Sequence, residues 1–128
     1  MRGLLDTHTF LWFVLDDPNL SAAARAYTAD PNNELYVSPA SYWEVAVKVS
    51  IKKYELKSPF ESFWRKGIDD NGFRIMPIEL SHAAAVAAMP FHHRDPFDRM
   101  IVAQAMAERI PIVSNDTALD VYGVRRIW

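Results

Sequence analysis

Short apolar runs alternate with amphipathic stretches along the whole chain. Gly3-Leu4-Leu5 is a brief apolar run ending on Asp6 and reads as a buried strand. "THTFLWFVLDD" then sets Phe10, Leu11, Val14 and Leu15 on one helical stripe, closed by "DDPN". Ser21 can cap "AAARAYTA", which stops at "DPNN". "ELYVS" is a strand, and Ser38-Pro39 reads as the N-cap and first position of a long helix through "ASYWEVAVKVSIKKYEL". "SPFESFWRKGIDDNG" predicts a helix broken by glycine-rich turn residues. "FRIMPIEL" predicts a strand whose Pro77 places it at an edge or ends it early. "SHAAAVAAM" is a helix, Asp95-Pro96 opens another through "FDRMIVAQAMAER", "PIVSND" is a strand, "TALDVYG" a helical turn and "VRRIW" a last strand.

Strands alternating with helices call for a mainly parallel sheet covered on both faces. Ligands of such sheets bind beyond the carboxyl ends of the strands. That rule sorts the acids. Asp6 ends the first strand and Asp116 follows "PIVSN"; Glu44 and Asp98 lie near the starts of their helices. All four fall on the same rim. Each also has a plain role. Asp95 is a natural N-cap, and Asp98 three residues later can complete a capping box with it. Glu44 can pair with Lys48 one turn on, as a solvated i,i+4 pair. Asp116 can be a turn residue. Asp6 is harder to dismiss, because it follows Leu4-Leu5 into a buried position and a buried carboxylate needs a partner. Four like charges on one rim are tolerable with a cation between them. Oxygen ligands suit Mg²⁺ or Mn²⁺, ions that support phosphoryl chemistry.

The chain has 128 residues, half of them hydrophobic, which predicts a single domain spanning 1–128 with a real core. The absence of cysteine excludes disulfides and thiolate metal sites and suits a reducing cytoplasm. No apolar run approaches the ~20 residues of a membrane span, and "MRGLLDTHTF" carries no signal-peptide pattern. A formal charge of −2 excludes nucleic-acid binding by bulk positive charge, so any such binding needs basic residues gathered locally. Lys48, Lys52 and Lys53 share a helix with Glu44, and Arg94 and Arg99 bracket Asp98; these are the candidate phosphate contacts.

Four stretches, "LLDTHTFLW", "SPASYWEVAVK", "HHRDPFDRMIVAQA" and "PIVSNDTALDVYGV", occur in this order over essentially the whole chain. Together they resemble the PIN-domain ribonucleases, specifically the VapC-type toxins of bacterial toxin–antitoxin pairs. The resemblance implies a three-layer α/β/α sandwich with a central mainly parallel sheet. It implies Mg²⁺- or Mn²⁺-dependent hydrolysis of RNA phosphodiester bonds, with Asp6, Glu44, Asp98 and Asp116 as the catalytic acids. Asp6, Asp98 and Asp116 are the implied metal ligands, and Glu44 completes the pocket. Thr7 matches a small hydroxyl residue after the first acid, and Ser114 stands where a hydroxyl supports the last one. His8 falls at a position that varies in the family and receives no role. His92, His93 and Arg94 flank the site, either as RNA contacts or as an ordinary loop before a helix. The implied reaction is in-line attack of a metal-activated water on phosphorus, leaving a 5′-phosphate and a 3′-hydroxyl.

The resemblance further implies a small antitoxin as inhibitor and a toxin homodimer. Trp12, Trp43, Trp64 and Phe63 add more aromatic surface than a small domain readily buries, a composition favoured at interfaces. An arginine of the partner could enter the acidic pocket and pair with its carboxylates. Rival readings stay open. An aspartyl phosphatase wants a second Asp two residues after the first, where His8 stands. A receiver-like phosphate-binding module wants a Lys after a late strand, which "IVSND" lacks. A catalytically inactive PIN-like binding protein would lack acids that are all present here.

Overall fold

The computed structural model describes all residues 1–128. Its centre is a five-stranded sheet of β1 (Arg2–Leu5), β2 (Glu34–Val37), β3 (Arg74–Ile75), β4 (Ile112–Val113) and β5 (Arg126–Ile127). All four pairings are parallel and the strand order is β3-β2-β1-β4-β5. The α-helices are α1 (Thr7–Val14), α2 (Ala22–Ala29), α3 (Pro39–Ser50), α4 (Phe60–Asp70), α5 (Leu80–Ala88) and α6 (Pro96–Glu108), with a 3-10 helix at Thr117–Tyr122.

Successive strand residues point to opposite faces, and the two cores arise from that alternation. Leu5 and Val113 pack on one side with Phe10, Leu11, Trp64 and Ile68; Leu4 and Ile112 pack on the other with Ile101, Val102 and Ala105. Both faces of β1 are therefore covered, which is why "GLL" reads as continuously apolar rather than alternating. The three-layer α/β/α expectation holds, and the sheet is parallel throughout.

Local differences have local causes. The long helix ends at Ser50 instead of running to Leu56. Lys52 adopts a left-handed backbone at φ 61°, and the N–H groups of Lys53 and Tyr54 both turn back to the Lys48 carbonyl. Pro39 starts that helix under the Ser38 cap as expected. β3 holds two residues and lies at the sheet edge, consistent with Pro77 ending it. Gly67 does not break α4. It sits inside the helix, where an added Cβ would lie 2.8 Å from the Phe10 ring. That close approach lets Phe10 stack on Trp64 with centroids 4.3 Å apart. Trp64 is therefore a core residue and not part of an exposed aromatic surface, whereas Trp43 is 63% exposed. No helix is long and apolar enough to cross a membrane.

Candidate active site

The strand order changes direction at β1. From β1 the chain crosses to β2 on one side, and β4 joins on the other. A crevice opens at the carboxyl ends of strands at such a switch point. Here it is a cleft of about 400 Å³ lined by Asp6, His8, Glu44, Lys48, Asp95, Asp98, Asn115, Asp116 and Thr117, with no hydrophobic residue among them. All four acids singled out in the sequence line it.

Asp6, Asp98 and Asp116 are placed by helix starts. Asp6 caps α1, its Oδ1 accepting from the Thr9 N–H at 2.8 Å. Asp116 caps the 3-10 helix, accepting from the Ala118 N–H at 3.0 Å. Ser114 orders this turn by accepting from the Asp116 N–H at 3.0 Å. Asp95 caps α6 by accepting from the N–H groups of Phe97 (2.8 Å) and Asp98 (3.1 Å). The capping box expected between Asp95 and Asp98 is not formed. The Asp95 N–H is taken instead by His93 Nδ1 at 3.2 Å, which leaves the Asp98 carboxylate facing the cleft. Glu44, in the second turn of α3, is 3% exposed. The Thr7 hydroxyl donates to its Oε1 at 2.7 Å and Lys48 pairs with its Oε2 at 2.7 Å. The Glu44–Lys48 pair thus exists, but one member is buried and both line the cleft.

The electrostatics reflect crowding and burial. Burial pushes the Asp6 carboxyl above the ordinary carboxylate range, against hydrogen bonds from Ser114 and Thr9 that pull it down. Asp98 is raised to about 7, first by burial, then by the nearby charges of Asp95 and Glu44. Lys48 is raised by its hydrogen bond to Glu44. None of Asp6, Asp98 and Asp116 pairs with a lysine or arginine.

His93 was legible only as a flanking residue, and the structure brings it against two of the acids. Its Nε2 lies 3.5 Å from Asp98 Oδ2 and 3.4 Å from Asp116 Oδ2. The ligand atoms of these three residues all lie within 4.8 Å of one another, a spacing that can hold a metal ion. The donors are carboxylate oxygens with one imidazole and no thiolate, and Asp6 adds a buried carboxylate beside them. Hard oxygen donors of this kind fit a divalent cation.

The candidate phosphate contacts divide. Lys48 reaches the cleft, while Lys52, Lys53 and Arg94 lie outside its lining. Arg99 is not an RNA contact. It is 8% exposed, and its guanidinium donates to the carbonyls of Pro90 (3.2 Å) and Val86 (3.2 Å), with longer contacts to His93 and Met89 (both 3.5 Å). A buried guanidinium needs acceptors, and the backbone of the segment before α6 supplies them.

Residues 3–124 match the PIN domain family. The chain is 31% identical over 117 residues to ribonuclease VapC22 of Mycobacterium tuberculosis (strain ATCC 25618 / H37Rv), covering 91% of this chain and 88% of that protein. Its fold is similar to VapBC2 from Rickettsia felis bound to a DNA fragment from their promoter, with a TM-score of 0.71 at 14% identity over 98% of this chain and 97% of that one. VapBC-1 from nontypeable Haemophilus influenzae superposes with a TM-score of 0.65 at 14% identity, over 98% and 96% of the two chains.

Proposed function

The chain belongs to the PIN-domain family, and from that premise we propose that it is a divalent-metal-dependent endoribonuclease acting as the toxin of a toxin–antitoxin pair. The observation that carries the reading is the convergence of Asp6, Glu44, Asp98 and Asp116 on one polar cleft at the sheet's switch point. The VapC22 ribonuclease and the VapBC complexes support the class of reaction and of partner.

Asp6, Asp98 and Asp116 are the residues that would hold the cation, Mg²⁺ or Mn²⁺. When bound, the ion neutralises charge on a scissile phosphate and acidifies a water molecule. The remaining steps belong to the chain. Carboxylates alone would repel an RNA phosphate, so the cleft admits substrate only when its charge is offset. Asp6 is fixed by its cap, its Oδ1 accepting from the Thr9 N–H, and it lines the cleft. Glu44, oriented by Thr7, keeps the Lys48 ammonium at the cleft wall, where it can meet a phosphate oxygen. These contacts address the backbone and carry no base selectivity. The products expected are a 5′-phosphate and a 3′-hydroxyl.

The test is cleavage of a labelled RNA with Mg²⁺ or Mn²⁺ by the wild type and by Asp6→Asn and Asp98→Asn. Both variants should fold and lose cleavage by at least about a hundredfold, since the amide keeps the shape and removes the charged ligand. Near-wild-type cleavage by both would remove the assignment. We further propose a homodimer and a small inhibitory antitoxin. The exposed Trp43, with Ile75 and Ile78 also exposed, offers apolar surface of the kind interfaces use. Light scattering, and inhibition by the product of the neighbouring reading frame, check the two parts separately.

A further inference from the structure

His8 is the only ring among the nine residues that line the cleft. Its imidazole is exposed and rests on the Trp12 indole, one helical turn along α1, with centroids 5.4 Å apart and planes tilted by 33°. Trp12 in turn meets Trp128 at 5.9 Å. On the reading of the cleft as a ribonuclease centre, we propose that His8 is a stacking platform for one unpaired base of the RNA, close to the scissile phosphate, with Trp12 and Trp128 as its buttress.

The three rings come together for reasons of local geometry. Asp6 caps α1, so His8 stands in the first turn of that helix, beside an acid of the cleft. Residues four apart share a helix face, and long helical side chains lean back toward the N-terminus. The Trp12 indole is thereby carried toward His8. Trp128 follows β5, which runs parallel to β4, so it emerges at the same rim of the sheet as Asp116. Trp12 and Trp128 are half-buried and pack against the core that holds Phe10 and Leu11. Of the three rings only His8 is exposed, so a base meets the imidazole and the two indoles support it from behind.

The mounting is fixed. The Thr9 N–H donates to Asp6 Oδ1 at 2.8 Å, and the Thr9 hydroxyl donates to the Val113 carbonyl at 2.7 Å. The backbone beside His8 is thus tied both to the cap and to β4. A surface held in place before binding loses little freedom when its ligand arrives.

The rest of the lining leaves the bases unserved. Its carboxylates, Lys48, Asn115 and Thr117 can meet an ion, a phosphate or a sugar hydroxyl, and none presents a flat aromatic face. Single-stranded RNA is recognised by splaying its bases onto aromatic side chains, histidine among them. Every base has a π face, so one such platform favours an unpaired strand over a duplex without selecting sequence. His8 stands apart from His93, Asp98 and Asp116, the donors that gather within 4.8 Å, which leaves its ring for the substrate.

The experiment is single-turnover cleavage of a short unpaired RNA by excess protein with Mn²⁺, which separates the half-saturating protein concentration from the maximal rate. Wild type, His8→Ala and His8→Phe are compared, with circular dichroism to verify folding. His8→Ala should raise the half-saturating concentration about tenfold, whereas His8→Phe, which keeps a flat ring, should stay within about threefold of wild type. The RNA is then made with one abasic nucleotide, stepped through the positions flanking the cut. One position should cost the wild type about tenfold and cost His8→Ala nothing further, because the missing base and the missing ring remove the same contact. Identical abasic losses in wild type and His8→Ala would overturn the platform, as would a His8→Phe as weak as His8→Ala. Calorimetry with Mn²⁺ alone should give both variants the wild-type affinity; weaker uptake would make His8 a metal ligand and overturn it too. If His8→Ala weakens inhibition by the product of the neighbouring reading frame and leaves RNA cleavage unchanged, the rings serve a protein partner and the proposal fails. A wild type that cleaves RNA with no divalent ion at all removes nothing but the metal, whereas one that cleaves no RNA under any divalent ion removes the ribonuclease reading and the platform with it.

Discussion

Asp98 answers to two neighbours at once. Its N–H belongs to the α6 cap, while its carboxylate faces the cleft with a pKa raised to about 7. In an unfolded chain the same carboxyl titrates near ~3.9. Between those values the folded form binds the proton more strongly than the unfolded form, so this group's contribution to stability falls as pH rises through about 4 to 7. Above that window both forms are ionised and the full penalty stands. Asp98→Asn removes it. Without metal, the variant should melt close to wild type near pH ~4 and above it at pH ~8, with the gap growing between. Divalent ion at the higher pH should reverse the order. Thermal melts of the two proteins across pH check both parts. A constant offset at every pH would mean the Asp98 carboxyl titrates normally.

At the scale of elements, α6 both presents Asp98 to the cleft and holds the segment before it. Arg99 gathers carbonyls from Val86 to His93, with its guanidinium over the Phe91 ring at 4.8 Å from the centroid. Arg99→Ala removes the guanidinium donors, while the Val86 and Pro90 carbonyls keep the N–H groups of Met89 and His92, and it should cost about 1–3 kcal/mol. Arg99→Lys should recover little, because a point charge cannot serve a fork's several acceptors. Urea unfolding of both variants measures this, and near-wild-type stability for Arg99→Lys would refute the fork argument. α4 gives a second case. Gly67→Ala places a methyl 2.8 Å from the Phe10 ring, which is itself stacked on Trp64. Helix propensity favours alanine by ~1 kcal/mol, but overpacking costs ~1–3 kcal/mol, so the net change should be destabilising. The same urea series reports it.

For the whole molecule, the sheet order decides where charge accumulates. β1 and β4 are neighbours although they lie near opposite ends of the chain, and Thr9 at the start of α1 ties that helix to β4 by donating its hydroxyl to the Val113 carbonyl at 2.7 Å. Asp6 and Asp116 are brought to one cleft by that pairing, at an electrostatic cost to the metal-free fold. A cation that binds only the folded cleft stabilises it by RT ln(1 + [L]/Kd), ~2.7 kcal/mol at a hundredfold excess over Kd. For a domain of this size the midpoint should rise by roughly several degrees. Mn²⁺ or Mg²⁺ should exceed matched ionic strength in Na⁺, and the increment should shrink in Asp6→Asn. Scanning calorimetry with both ions decides it; a wild type that responds to Na⁺ and Mn²⁺ equally would show that the acids do not act as one site.

The periodicity of the chain determined its elements. Alternating apolar runs and amphipathic stretches demanded a parallel sheet covered on both sides, and the caps at Ser38 and Asp95 were readable because capping is a contact over two or three residues. The rim holding Asp6, Glu44, Asp98 and Asp116 was readable for a related reason: parallel topology sends every strand end the same way. What only the tertiary structure decided were contacts between segments distant in sequence. Trp64 is a core residue because Phe10, far upstream, fits against Gly67. Glu44 lies inside the cleft wall, held by Thr7 from another helix, and Lys48 joins the cleft with it. Arg99 is internal because the end of α5 and the segment after it turn the carbonyls of Val86 and Pro90 toward its guanidinium. His93 lies between two acids because the turn after β4 brings Asp116 up to the start of α6. Local patterns constrain neighbours along the chain, whereas these placements depend on which surfaces meet after the sheet has closed.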